Sequence, residues 1–108
     1  MTTAMLAMLL SLGIFTTRDV VREMAVSAGV SPRLSACIIE AESQWDVNHL
    51  GDAGEIGLMQ ILPSTGEWAA SKLGMDTYDL YAPVDNLRIG LWILRYFPEF
   101  FHTMYLCD

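Results

Sequence analysis

Apolar positions recur every three to four residues through most of the chain, the spacing of amphipathic helices. Val20, Val21, Met24, Ala25 and Ala28 form one such series, with Thr17 placed to cap its start and Gly29 to stop it. Ser31 and Pro32 open the next, Ser as N-cap and Pro in the first turn, and the pattern runs to about Gln44. A further helix starts at Pro63 or Ser64 and ends at Gly74. Another follows Pro83, with Asp85 as a second start signal, carries Leu87, Leu91 and Leu94 on one face, and closes at Pro98. Between them, from Asp46 to Leu62, Gly51, Gly54 and Gly57 interrupt any period, which predicts a long loop with room for a short β-hairpin. The pattern therefore predicts a mainly α domain. The apolar run Ala4–Phe15 stands apart from it. It is shorter than the roughly 20 residues a membrane span takes. No Lys or Arg precedes it, so a buried first helix and an export or membrane-association signal compete as readings. The expected division is residues 1–16 as an apolar N-terminal segment and 17–108 as the helical domain.

The helix opening at Pro32 ends on two glutamates, Glu40 and Glu42. At about 100° per residue, Leu34, Cys37, Ile38, Ala41 and Trp45 share one apolar face. Glu40 points away from that face, toward solvent. Glu42 falls on its shoulder beside Ile38, in the last turn, facing the glycine-broken loop. Partial burial and the negative end of the helix dipole both favour the uncharged carboxylic acid there. A proton-carrying carboxyl is what a general acid needs, whereas a structural glutamate would form a salt bridge or cap the loop. Spacing alone leaves both readings open.

Composition narrows the function classes. The chain has 108 residues, 53% apolar and 18% charged, with a net charge of −7. That suits one folded domain. The six basic residues are scattered, which argues against nucleic acid as a partner, because phosphate binding draws on basic patches. Cys37 and Cys107 lie far apart, one of them inside a helical pattern, so neither a disulfide nor a zinc site is expected. His49 and His102 have no partner at ligand spacing and read as ordinary polar residues; no metal or cofactor is expected.

The stretch "IIEAESQWDVNHLGDAGEIGLMQILPST", Ile38–Thr65, resembles the transglycosylase SLT domain, the lytic-transglycosylase relatives of goose-type lysozyme. The likeness is carried by Glu42-Ser43 at a helix end, Trp45 as the following aromatic, Gly54, then Gly57-Leu58-Met59-Gln60-Ile61 in register with Pro63 and Thr65. Downstream, "YAPVDNLRIGLWIL" is similar to the family's later segment through Pro83, Asn86, Gly90 and Leu94. Together these cover Ser31 to Phe97.

The resemblance implies a lysozyme-like fold and cleavage of the β-1,4 bond between N-acetylmuramic acid and N-acetylglucosamine in peptidoglycan, with 1,6-anhydromuramic ends as product. Glu42 would be the sole general acid and base. Asp46 and Asp52, which could suggest a two-carboxylate glycosidase, read as turn residues. Gln60 is the expected substrate-binding amide, with Met59 and Leu62 as apolar cleft residues, although Met59 also suits the core. Trp45 reads as packing. Two departures from the family's pattern stand out: Gly51 replaces a loop serine that bonds the catalytic glutamate or the muramic acetamido group, and the final "FHTMYLCD" has no Tyr-Asn-x-Gly segment. The second departure predicts a domain incomplete at its C-terminal side. The expected partner is the peptidoglycan glycan strand, in the envelope or periplasm or on a virion. A goose-type muramidase and a non-catalytic glycan-binding module of a virion or secretion machine are the alternatives.

Overall fold

The computed structural model describes residues 1–107. Five α-helices follow one another: α1 Thr3–Ser11, α2 Thr17–Ala28, α3 Pro32–Ser43, α4 Pro63–Leu73 and α5 Pro83–Tyr96. Two 3₁₀ turns, Pro98–Phe100 and His102–Leu106, follow α5. The start and stop residues explain the bounds. Pro occupies the first turn of α3, α4 and α5, where its missing N–H costs nothing. Gly29 and Gly74 end α2 and α4 in the left-handed region, at φ +73° and +71°. The cap of α2 is Thr16 rather than Thr17. Its hydroxyl accepts from the Asp19 amide at 3.1 Å while the Asp19 carboxylate accepts from the Thr16 amide at 2.9 Å. Asp19 stands three residues after Thr16, so only that threonine can close the reciprocal box. The Thr16 backbone and hydroxyl together hold the Asp19 carboxyl below its ordinary value of 3.8.

α5 is the central helix. Val84, Leu87, Ile89, Leu91, Ile93 and Leu94 are all buried, so the face expected from Leu87, Leu91 and Leu94 extends almost round the helix. A helix apolar on all sides is one that neighbours enclose. α2 and α4 pack on it, and the turn after it folds back so that Trp68 of α4 meets Phe97 at 5.0 Å and Trp92 at 5.4 Å between ring centres. α1 forms as a helix, but only Leu6 is buried; Met5, Met8, Leu12 and Ile14 are exposed. The reading of Ala4–Phe15 as a buried first helix is thus corrected: its apolar residues surround the helix with little amphipathic bias, and α2 and α5 can cover one side. Among the described residues no helix is long and apolar enough to cross a membrane.

α3 differs from the expected face in an informative way. Its buried residues are Ser35, Ile38, Ile39 and Ser43, while Leu34, Cys37, Ala41 and Trp45 flank that stripe half-buried. The two serines can be buried because each donates its hydroxyl to a carbonyl one turn back, Ser35 to Ser31 at 2.9 Å and Ser43 to Ile39 at 3.1 Å. The stripe is therefore rotated toward Glu42, which follows Ile38 by four residues and Ile39 by three.

Cys37 and Cys107 form a disulfide, with their Cα atoms 5.9 Å apart, contrary to the sequence reading. Separation along the chain was a poor guide, because the last 3₁₀ turn lies back along the flank of α3 where Cys37 sits. Closing a loop across 70 residues restricts the unfolded chain by about 4 kcal/mol. We expect the double variant Cys37→Ala, Cys107→Ala to melt roughly 20 °C lower in a circular-dichroism melt, on the usual scaling for a domain of this size.

Candidate active site

The segment between α3 and α4 is held by side chains rather than by strands. The expected hairpin reduces to two isolated bridges, Leu50 with Ile56 and Ile56 with Ile61. Asp46 turns the chain by accepting from the Asn48 amide at 3.0 Å. Asp52 is exposed at the loop tip. Trp45 packs against the core with the Arg18 guanidinium 4.1 Å above its ring, a packing role with a cation on its outer face. The centre of the arrangement is Asn86 of α5, 1% exposed. Its amide donates to the Ile56 and Leu80 carbonyls at 2.9 Å each, and its oxygen accepts from the Met59 amide at 2.9 Å. One buried side chain thus satisfies three backbone groups that have left regular structure. Gly57 makes room for it: at φ +77°, a Cβ there would lie 2.5 Å from the Asn86 amide nitrogen.

Met59 is fully buried, and a side chain at Gly90 would collide with it. The expectation that Met59 lines a saccharide cleft is corrected: the thioether fills the notch that Gly90 leaves in α5 and offers no surface to a ligand. Gln60, at φ +53°, uses both amide protons internally, donating to the Gly57 carbonyl at 2.9 Å and the His49 carbonyl at 3.1 Å. Only its carbonyl oxygen remains for a ligand. Leu62, the residue before α4, is 38% exposed.

A groove of about 540 Å³ runs between this loop and the C-terminal turns. Glu42, Gln60 and Leu62 line it, so three of the four residues singled out from sequence share one surface. Glu40 is exposed elsewhere on α3, as its helical position predicts. Glu42 is half-buried, and its Oε2 accepts a hydrogen bond from the Thr103 hydroxyl at 2.7 Å. Glu55, Glu99, Phe100 and His102 line the same groove. None of these four, nor Thr103, stands out in the sequence as a site residue. Thr103 meets Glu42 across 61 residues, with no motif around it. His102, read as an ordinary polar residue, comes to the groove because the last turn does. Glu55 could have been noticed, since it stands inside the glycine-rich segment. Its carboxylate accepts from the Ala53 amide at 2.8 Å and lies against Gly51. A Cβ at Gly51 would come within 2.7 Å of it and 2.6 Å of the Gln60 oxygen, so Glu55 and Gln60 fill the space that a serine at 51 would need. Among the described residues, no group of three or more His, Cys, Asp or Glu is arranged to hold a metal ion.

The five helices and the glycine-broken segment between α3 and α4 make up a lysozyme-like fold. Over 77% of this chain, it superposes on the 70 kDa soluble lytic transglycosylase of Escherichia coli with a TM-score of 0.66 and 24% identity, and equally on the same enzyme in complex with bulgecin A. An inactive glutamate-to-glutamine mutant of the Pseudomonas aeruginosa lytic transglycosylase Slt superposes over 74% with a TM-score of 0.64 and 23% identity. This chain spans 14% of the length of each of these proteins. No curated protein sequence matches it. The family model of the transglycosylase SLT domain matches residues 19–107, and the chain belongs to that family.

Proposed function

We propose that this domain cleaves peptidoglycan glycan strands as a lytic transglycosylase, with Glu42 as its one general acid and base. The observation that carries the reading is the placement of Glu42. It is half-buried in the wall of an open groove, with one carboxylate oxygen held by a hydroxyl. The family and the neighbours support the substrate, since two of the similar structures are lytic transglycosylases and a third is one inactivated by replacing a glutamate with glutamine. In this reaction Glu42 protonates the glycosidic oxygen between N-acetylmuramic acid and N-acetylglucosamine. It then removes the proton of the muramic C6 hydroxyl as that oxygen closes on C1. The substrate supplies the attacking oxygen, so a second carboxylate is not required. Leu62 and the Gln60 oxygen are the contacts we assign to the sugar. The Cys37–Cys107 disulfide fits a protein working outside the reducing cytosol, in the envelope where the substrate lies.

One observation favours a second reading. Glu55 and Glu99 share the groove, and a carboxylate able to activate water is what a hydrolysing muramidase uses. Product chemistry separates the two. Mass spectrometry of muropeptides released from purified sacculi should show anhydromuramic ends, each lighter than its hydrolytic counterpart by one water. Reducing ends alone would replace the transglycosylase reading with hydrolysis, and no release at all would end both.

A further inference from the structure

The hydrogen bond to Glu42 comes from an element that has little means of standing alone. His102–Leu106 is a 3₁₀ turn of five residues, too short to be stable by itself. It is fixed at both ends. On one side Phe101 is buried at 5% exposure. On the other, Cys107 is bonded to Cys37, five residues before Glu42 on the same helix. Thr103 therefore rests between a hydrophobic anchor and a covalent one, and the covalent one is attached to the helix that bears Glu42. The Gly51 side of the groove cannot supply the same contact, because Glu55 and the Gln60 oxygen crowd the position and glycine has no hydroxyl.

We propose that Thr103 is a positioning residue for Glu42, and that the Cys37–Cys107 bond is what keeps it in place; this rests on the functional reading above. The hydroxyl donates to Oε2 at 2.7 Å, which makes Oε2 an acceptor and leaves Oε1 as the oxygen that carries the transferable proton. The contact also selects one rotamer of a side chain that would otherwise swing in an open groove. Thr103 touches no reacting atom; it acts through the carboxylate it orients.

The test uses the full chain on soluble glycan strands, with kcat, KM and melting temperature measured for each variant. Thr103→Val keeps the shape and removes the donor. It should lower kcat by roughly 10- to 100-fold, the scale of a misplaced catalytic group, with KM and melting temperature unchanged. Thr103→Ser restores the hydroxyl and should recover most of the rate. Treatment with dithiothreitol supplies two electrons and two protons to the disulfide, giving two thiols and the reagent's own cyclic disulfide. Below the melting temperature of the reduced protein, it should bring the wild type down to the Thr103→Val rate and leave Thr103→Val itself unchanged. Wild-type kcat in Thr103→Val beside an inactive Glu42→Gln overturns the positioning role. Equal loss on reduction in both proteins overturns the anchoring role of the disulfide. Full activity in Glu42→Gln overturns the functional reading, and the positioning role with it.

Discussion

Glu42→Gln should abolish glycan cleavage and leave the fold standing. Glutamine keeps the shape of the side chain, and its carbonyl oxygen can still accept from the Thr103 hydroxyl. The α3 stripe of Ser35, Ile38, Ile39 and Ser43 is untouched. Because residue 42 is half-buried at a groove wall, the neutral replacement should shift the melting temperature by no more than a few degrees, in line with about 0.5 kcal/mol for a surface change. The amide cannot deliver a proton to the glycosidic oxygen and cannot take one from the C6 hydroxyl. General acid–base assistance accounts for roughly 10²–10⁴-fold in rate, and here one group performs both transfers, so the loss should reach at least the upper part of that range. Release of soluble muropeptides from sacculi measures it. Glu40→Gln is the matched control, since that glutamate is exposed on the other side of the helix and should cleave at the wild-type rate. A cleaving Glu42→Gln protein would sink the assignment of the acid. Glu55→Gln sharpens the result: unchanged rate fits a single-carboxylate reaction, and a loss as deep as that of Glu42→Gln points to water activation.

What was legible in the sequence was local. Gly29, Pro32, Pro63, Gly74 and Pro83 each act within a turn of their own position, and the helix bounds follow from them to within a residue or two. That Glu40 faces solvent while Glu42 turns toward the loop was legible for the same reason, since two residues on a helix point about 160° apart. The true buried stripe of α3 was not, because Ser35 and Ser43 count as polar until their hydroxyls are seen to be bonded to the preceding turn. Contacts closed by tertiary folding were hidden altogether. Cys37 finds Cys107, and Glu42 finds Thr103, only after the last turn has folded back on α3. The disulfide and the hydroxyl contact are two consequences of one docking event, so missing the first entailed missing the second. Of the two readings of Met59, core and cleft, the structure shows the core one, and periodicity does not reveal its neighbour Gly90, whose missing side chain leaves the hole that the thioether fills.

Asn86→Asp should be the most damaging single substitution outside the groove. The two side chains have nearly the same shape, so no cavity forms and the effect isolates hydrogen bonding. Asn86 donates twice, to the Ile56 and Leu80 carbonyls, and accepts once, from the Met59 amide. A carboxylate can keep the third bond and none of the first two. It also sets its second oxygen, in place of Nδ2, against two carbonyl oxygens at hydrogen-bond distance, in a position that is 1% exposed. Leaving a buried polar group without its partner costs about 1–3 kcal/mol each, and a buried charge with no partner adds to that. A total of roughly 4–6 kcal/mol is expected, a large part of the 5–15 kcal/mol that holds a typical domain. Denaturant unfolding measures it directly. The functional consequence follows from where the loop leads: Met59 precedes Gln60, whose φ of +53° and two backbone bonds depend on the same loop path. Cleavage should therefore fall with stability in Asn86→Asp, whereas in Glu42→Gln it falls without it. An Asn86→Asp protein as stable as the wild type would mean that water or a backbone shift satisfies Ile56 and Leu80, and that α5 does not hold the loop that forms one side of the groove.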